Sequence, residues 1–146
     1  MFYLQIGTDP TTWVVSQAHT IGEVAQELTQ AIAVPVEFPL VGTLVVSPRG
    51  AGAVWVSSPP PMGSHPSGAK LPGPVIRAPS AAEATPEAPG GYPLVPGTNL
   101  AQLQQDIIAA MNGGTLLTVP VVSKGEGAVL VLSGATLAYA VVSPAS

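Results

Sequence analysis

The amino-acid sequence predicts an α+β fold of two duplicated units, each a helix followed by an antiparallel β-hairpin. Three observations predict this fold: a helical pattern that occurs twice, a valine-rich hairpin pattern after each copy, and a proline-rich stretch between the copies. The first unit spans residues 1–57, the linker or arm residues 58–98, and the second unit residues 99–146. Because units of roughly 50 residues bury too little surface to be stable alone, we expect them to pack together as a pseudo-dimer.

The helical pattern occurs at residues 20–32, TIGEVAQELTQAI, and again at residues 99–111, NLAQLQQDIIAAM. In both copies the aligned apolar residues recur at the spacing of one face of an amphipathic helix. Thr20 and Asn99 each stand three residues before a Glu or Gln, which is the spacing of a capping box at a helix N-terminus. The second copy ends at an Asn-Gly-Gly sequence, residues 112–114, which favours a left-handed helix terminus. The sequence therefore predicts two copies of one helix.

A hairpin pattern follows each helix, at residues 46–57, VSPRGAGAVWVS, and at residues 122–133, VSKGEGAVLVLS. In each copy a polar segment with glycine separates two runs rich in β-branched residues, which is typical of two antiparallel strands and their turn. The flanking segments differ between the copies. We expect extra strands near residues 2–6 and 13–16 in the first unit and near residues 136–142 in the second.

The middle of the chain is rich in proline. Residues 58–98 hold 11 of the 17 prolines, together with many glycines and alanines. This composition favours extended, polyproline-like segments that build no core of their own. At about 3.1 Å per residue, such a segment reaches on the order of 100 Å, far more than a connection inside one domain needs. The sequence therefore predicts either a spacer or an arm that wraps a partner.

Charged residues are scarce, and their scarcity bears on the class of partner. Only 8% of the 146 residues are charged, against about 25% in typical proteins, and 47% are hydrophobic. A surface with so few charges is tolerable in a protein that is packed against other proteins, so we expect protein partners and self-association. The net charge is −4 and the four basic residues are scattered singly, so we expect no nucleic-acid partner.

Neither end of the chain predicts a targeting or membrane segment. The N-terminus lacks the positively charged region of a secretory signal peptide and meets Asp9 and Pro10 at once. Residues 127–146 carry no charge, but their serines, Pro144 and many valines are typical of strands rather than of a spanning helix. We therefore expect no membrane association, and a location in the cytoplasm or within an assembled particle.

The candidate motifs for catalysis, metal binding and cofactor binding lie in unsuitable surroundings. Ser67 and Lys70 have the S-x-x-K spacing of serine acyl-enzymes, but flanking prolines exclude the helix that this motif requires. His19 and His65 lie in unrelated contexts, without the three or four converging ligands of a metal site, and the chain has no cysteine. The glycine-rich segments lie in predicted turns and match no phosphate-binding loop. The sequence thus predicts no catalytic residue, no metal and no cofactor, and we expect no enzyme activity.

Three aromatic residues are the candidate interface residues: Trp13, Tyr92 and Tyr139. Exposed tryptophan and tyrosine side chains dominate many protein interfaces. Of the two tryptophans, Trp55 aligns with the apolar Leu130 of the second hairpin. The first interpretation is that each tryptophan fills the core of the first unit, and the alternative is that one of them is a binding hot spot. The alignment supports a core position for Trp55 and leaves Trp13 as the better interface candidate.

These features together predict a non-enzymatic structural or assembly subunit, such as a virion or particle component. Association would use the sheet edges, the small apolar surface and the proline-rich arm. The alternative is a small bivalent protein-binding or regulatory module, in which two tethered units engage two copies of a partner.

Overall fold

The computed structural model of this protein describes residues 2–9, 11–15, 21–38, 40–57, 74–78, 91–123 and 125–144. The strands in these ranges are β1 (Phe2–Ile6), β2 (Trp13–Val15), β3 (Ile32–Phe38), β4 (Gly42–Val46), β5 (Val54–Ser57), β6 (Val75–Arg77), β7 (Tyr92–Pro93), β8 (Leu116–Ser123), β9 (Glu126–Ser133) and β10 (Tyr139–Ser143). The helices there are α1 (Ile21–Glu27), α2 (Pro48–Ala51) and α3 (Leu100–Gly113). Because the strands that pair in these ranges do so antiparallel, the predicted mixed α+β class with a mostly antiparallel sheet is confirmed.

One eight-stranded sheet forms the body of the molecule, in the order β5-β1-β2-β3-β4-β10-β6-β7. The β8–β9 hairpin is a second, two-stranded sheet. A single bridge between Leu94, which directly follows β7, and Val121 of β8 joins the hairpin to the end of the large sheet. Among the strands of the described residues, β5 and β9 are therefore the outermost, at opposite ends of the strand order.

The central strands bury side chains on both faces of the sheet, and each face carries its own core. All five residues of β10 are buried, as are Leu44, Val45 and Val46 of β4. The first core consists of Leu4, Ile6, Trp13, Val15, Val24, Val34, Val36, Leu40, Leu44, Val46, Val75, Tyr139 and Val141. The second core consists of Ala31, Val45, Ile76, Ala78, Leu94, Leu103, Ile107, Met111, Val119, Val121, Leu132, Leu137, Ala140 and Val142. Alternate residues of one strand therefore stabilise two separate packing layers.

Side chains from distant strands of the sheet meet in the first core. Strands β2 and β10 lie three strand steps apart, which is about 14 Å in a flat sheet. The rings of Trp13 on β2 and Tyr139 on β10 nevertheless lie edge to face, with centroids 5.8 Å apart. The inward side chains of the outer strands therefore converge with those of the central strands, and α1 contributes Val24 to the same core.

The elements predicted after residue 98 are confirmed. Helix α3 begins after Asn99, whose side chain accepts a hydrogen bond from the backbone N–H of Gln102 at 3.1 Å. It ends at Gly114, which has the left-handed φ of 66° that the Asn-Gly-Gly sequence predicts. Strands β8 and β9 form the predicted hairpin, with Gly125 at φ 77° in the turn, and β10 is the predicted extra strand.

The corresponding helix of the first half is shorter than predicted. Helix α1 ends at Glu27, so the prediction of a helix over residues 20–32 is wrong in its second half. Strand β3 follows after a short turn, and in it Val34 and Val36 are buried while their neighbours are only half-buried. Pro35 disfavours a helical conformation in the residue before it, and the alternating burial stabilises a strand.

The prediction of a hairpin at residues 46–57 is wrong as well. Strand β4 pairs with β3 and β10, whereas β5 pairs with β1. Between them lies the one-turn helix α2, in which the Ser47 hydroxyl accepts a hydrogen bond from the N–H of Gly50 at 3.3 Å. Pro48 is the first helical residue, where proline is favoured because its ring fixes a helical φ. The Ser-Pro start of this segment therefore forms a helix turn that separates the two strands.

Part of the predicted linker belongs to the sheet. Strand β6 lies between β10 and β7, and Val75, Ile76 and Leu94 are buried. Residues 58–73 and 79–90, which hold 8 of the 11 prolines of the predicted linker, lie outside the described residues. Since β10 from the second predicted unit lies beside β4 of the first, the two predicted units share one sheet in the structure.

Candidate interaction surfaces

Two of the three candidate interface residues, Trp13 and Tyr139, have buried side chains in the first core. The Tyr139 hydroxyl donates a hydrogen bond to Oδ2 of Asp9 at 2.8 Å. The backbone N–H of Thr11 donates to Oδ1 of the same carboxylate at 2.9 Å. Trp13 Nε1 has no hydrogen-bond partner among the described residues. These contacts tie the loop between β1 and β2 to β10, and they place both rings away from the surface.

The pKa values of Asp9 and Tyr139 are shifted in opposite directions. Burial raises the pKa of Tyr139 to about 12, and the hydrogen bond and negative charge of Asp9 add to that shift. Burial acts to raise the pKa of Asp9, but hydrogen bonds from Thr11 and Tyr139, with the positive charge of Arg77, hold it below its usual value. At neutral pH the pair is therefore a neutral phenol that donates a hydrogen bond to a carboxylate.

The third candidate, Tyr92, lies on β7, and its partly buried side chain packs against the second core. Trp55, which we expected in the core, is 65% exposed, so that expectation is wrong. It lies on β5 opposite Gln5 of β1, at the end of the large sheet. Its alignment with Leu130 failed because the two aligned segments have different strand partners, and the face on which a side chain lies depends on those partners.

A mostly apolar, uncharged surface lies on the outer side of the β8–β9 hairpin. Leu116 is 72%, Val129 61% and Val131 57% exposed. The pairs Thr118↔Val131 and Pro120↔Val129 place these residues on one side, because residues directly opposite in a ladder share a face. We define the hairpin face as Leu116, Thr118, Pro120, Val129 and Val131, all of which are exposed and none of which is charged.

The opposite side of the same hairpin packs on the second core. Val119, Val121 and Leu132 are buried there against α3. The hairpin therefore has two apolar sides, of which the described part of the chain covers only one. This uncovered side is therefore a candidate interaction surface.

A small polar cavity lies between the C-terminus of α3 and the start of α2. Its volume is about 240 Å³, and its lining residues are Thr29, Gln30, Ala31, Ser47, Pro48, Arg49, Met111 and Asn112. The backbone N–H of Ala31 donates to Oδ1 of Asn112 at 2.9 Å across it. Among the described residues that line the cavity, Arg49 is the one that carries a charge.

No group of three or more His, Cys, Asp or Glu side chains that could hold a metal occurs within the described ranges. Ser67, Lys70, His19 and His65 lie outside the described residues. In the part of the chain that the structure describes, no helix is long and apolar enough to cross a membrane. Comparison with protein-family models, curated proteins and solved structures finds no match.

Proposed function

We propose that this protein is a non-catalytic structural or assembly subunit that associates with protein partners, including further copies of itself, through its sheet edges. The observation that supports this proposal is the hairpin face together with the outer edge of β9. Among the described residues β9 pairs only with β8, so its other edge carries N–H and C=O groups that another strand can bind.

The size of the hairpin face indicates how such an association works. Two strands of eight residues measure about 26 Å by about 10 Å, or about 260 Å², at standard strand spacings. A standard interface buries about 800 Å² per partner, so the face alone is too small for a stable complex. Main-chain hydrogen bonds along the edge of β9 would supply the directional part of the contact, and the valines would supply the apolar part.

The charge distribution favours a protein partner. The chain has only 12 charged side chains, and its net charge is −4. The sequence has no cluster of basic residues that would attract nucleic acid, because its four basic residues are isolated from one another. Neutral surfaces associate without the desolvation cost of charged groups.

A bivalent binding module is the alternative, and the position of Trp55 favours it. This exposed tryptophan lies on β5, at the opposite end of the strand order from β9. Two separate edges, each with an exposed large apolar residue, would bind two partner molecules at once.

Light scattering over a range of concentrations tests the proposal. We expect the wild-type mass to rise above 14.6 kDa with concentration. We expect Val131→Lys to reduce that rise, because a lysine on the hairpin face blocks pairing between neutral edges. Ala109→Lys, which adds the same charge at an exposed position of α3, is the matched control and should associate like the wild type. A mass of 14.6 kDa at every concentration would exclude self-assembly and leave the bivalent module.

A further inference from the structure

We propose, on the basis of the assembly role above, that the partner of β9 is β9 of a second copy. The two strands pair antiparallel across a two-fold axis at Leu130 and form a continuous β8-β9-β9-β8 sheet. Closed two-fold contacts of this kind are the commonest form of self-association, because one surface serves both copies.

The backbone of β9 has its free hydrogen-bonding groups at the correct residues. Pro120 pairs with Val129 and has no N–H, so this pair is a non-hydrogen-bonded pair of the β8–β9 ladder. The N–H and C=O groups of Val129 therefore point away from β8, and those of Val131 do the same because orientation alternates along a strand. These two residues present about four main-chain groups at the outer edge.

The two-fold register through Leu130 joins those groups in pairs. It places Val129 of one copy opposite Val131 of the other, so each exposed valine meets an exposed valine. The N–H and C=O groups of both valines point away from β8, as a hydrogen-bonded antiparallel pair requires. The hairpin faces of the two copies then lie on the same side of the joined sheet, because the pleat continues across the pair.

The charges of β9 agree with this register. Glu126 is the only charged residue of the strand. The register places it opposite Gly134, beyond the end of the strand in the second copy, so no like charges lie opposite each other. Pairing between β9 and β5 of a second copy would instead use only the four residues of β5 and would extend as an open chain. The longer, self-complementary edge of β9 therefore favours its own copy.

Disulfide trapping in the full chain tests the register. The protein has no cysteine, so each introduced thiol is the only one in its chain. Val129→Cys and Val131→Cys are both at exposed positions and should leave the fold intact, which circular dichroism checks. Directly opposite residues have Cα atoms about 5.5 Å apart and form disulfides, whereas diagonal residues lie about 7–8 Å apart and do not.

Mixing the two variants, with a size tag on one of them, should therefore give a mixed disulfide at least about tenfold faster than either variant forms a disulfide with itself. Equal rates, or faster trapping of either variant with itself, would overturn the proposed register. The pair Trp55→Cys with Val131→Cys is the control for head-to-tail pairing.

These experiments distinguish failure of the two-fold β9 pairing from failure of the proposed assembly role. Faster trapping of the Trp55→Cys and Val131→Cys mixture would overturn the two-fold pairing and leave the assembly role standing. The same conclusion follows if light scattering shows multimers while none of the mixtures is trapped. If no mixture is trapped and the wild type is a monomer at every concentration, both the two-fold pairing and the assembly role are excluded.

Discussion

The segments at residues 21–38 and 100–123 begin with similar sequences and fold differently. Both begin with a short amphipathic pattern, but α1 has 7 residues and α3 has 14. Helix α3 continues until a left-handed glycine ends it, whereas α1 stops before a strand that contains Pro35. Thr20, the predicted cap of the first helix, lies outside the described residues, so the comparison concerns the helix ends. It shows that the residues after an amphipathic pattern determine how far the helix extends.

The two hairpin patterns likewise show that the residues between two strands determine whether those strands pair with each other. Residues 122–133 contain a two-residue turn, so the strands on either side pair with each other. Residues 46–57 contain a Ser-Pro helix start instead, and the strands on either side separate to join different neighbours. One additional element in the connection is enough to change the partners, and with them the exposed face.

Alanine substitutions of the two tryptophans should show the largest difference in the free energy of unfolding. We expect Trp13→Ala to lower the free energy of unfolding by about 3–5 kcal/mol, because it empties the centre of the first core. Trp55→Ala should change it by less than about 0.5 kcal/mol, because that ring is exposed. Urea unfolding followed by circular dichroism measures both values, and equal losses would contradict the assignment of one tryptophan to the core and the other to the surface.

Alanine substitutions at two aligned positions of the helical patterns, Ile107 and Leu28, should differ less in their effect on the free energy of unfolding. Ile107 of α3 is completely buried, whereas Leu28, which aligns with it, lies just after α1 and is only partly buried. We expect Ile107→Ala to cost about 2–5 kcal/mol and Leu28→Ala a smaller amount within the lower half of that range. Unfolding free energies of the two variants test this order, and a larger loss for Leu28→Ala would show that the shorter helix is the more important one for packing.

The hydrogen bond that joins the β1–β2 loop to β10 should contribute an intermediate amount. We expect Tyr139→Phe to cost about 1.5–3 kcal/mol at pH 7, because the bond to Asp9 involves a charged acceptor. Phenylalanine keeps the ring contact with Trp13, so the loss reports on the hydroxyl.

The pH dependence of that loss follows from the two pKa shifts. The pKa of Tyr139 is raised from 10.0 to about 12, so its contribution is complete below pH 10 and is lost as the pH rises towards 12. The pKa of Asp9 is lowered from 3.8, so its contribution is present above that value and is lost as the pH falls through the lowered one. The difference between wild type and Tyr139→Phe should therefore shrink at both extremes, and a difference independent of pH would show that the hydrogen bond is not its source.

The cap of α3 should give the smallest effect. We expect Asn99→Ala to cost about 1 kcal/mol, because the N–H of Gln102 loses its acceptor. Asn99→Asp keeps an acceptor oxygen and is the control, which should be close to neutral. Thermal unfolding of the three proteins measures the effect, and a loss in the aspartate variant as large as in the alanine variant would mean that the cap is not responsible.

The sequence reveals the hairpin face only in part. The alternation of Val129, Leu130 and Val131 predicts a two-sided strand, but not which side packs on α3. The alignment of the two hairpin patterns predicts a core position for Trp55, and this prediction is wrong because β5 pairs with β1. Buried and exposed faces are properties of the sheet, so one strand read alone does not determine them.

Local signals in the sequence determined α3 with its two caps, the β8–β9 hairpin with its glycine turn, and the scarcity of charge. The helix caps and the hairpin turn depend on residues a few positions apart, and the scarcity of charge is a property of the composition, so all of them can be taken from the sequence itself. The tertiary structure alone decided the pairing of β4 with β10, the strands within the proline-rich region, and the bond between Tyr139 and Asp9, which are 130 residues apart. Contacts at such separations depend on which apolar faces are buried together, and the same valine-rich pattern allows many pairings until the whole core packs.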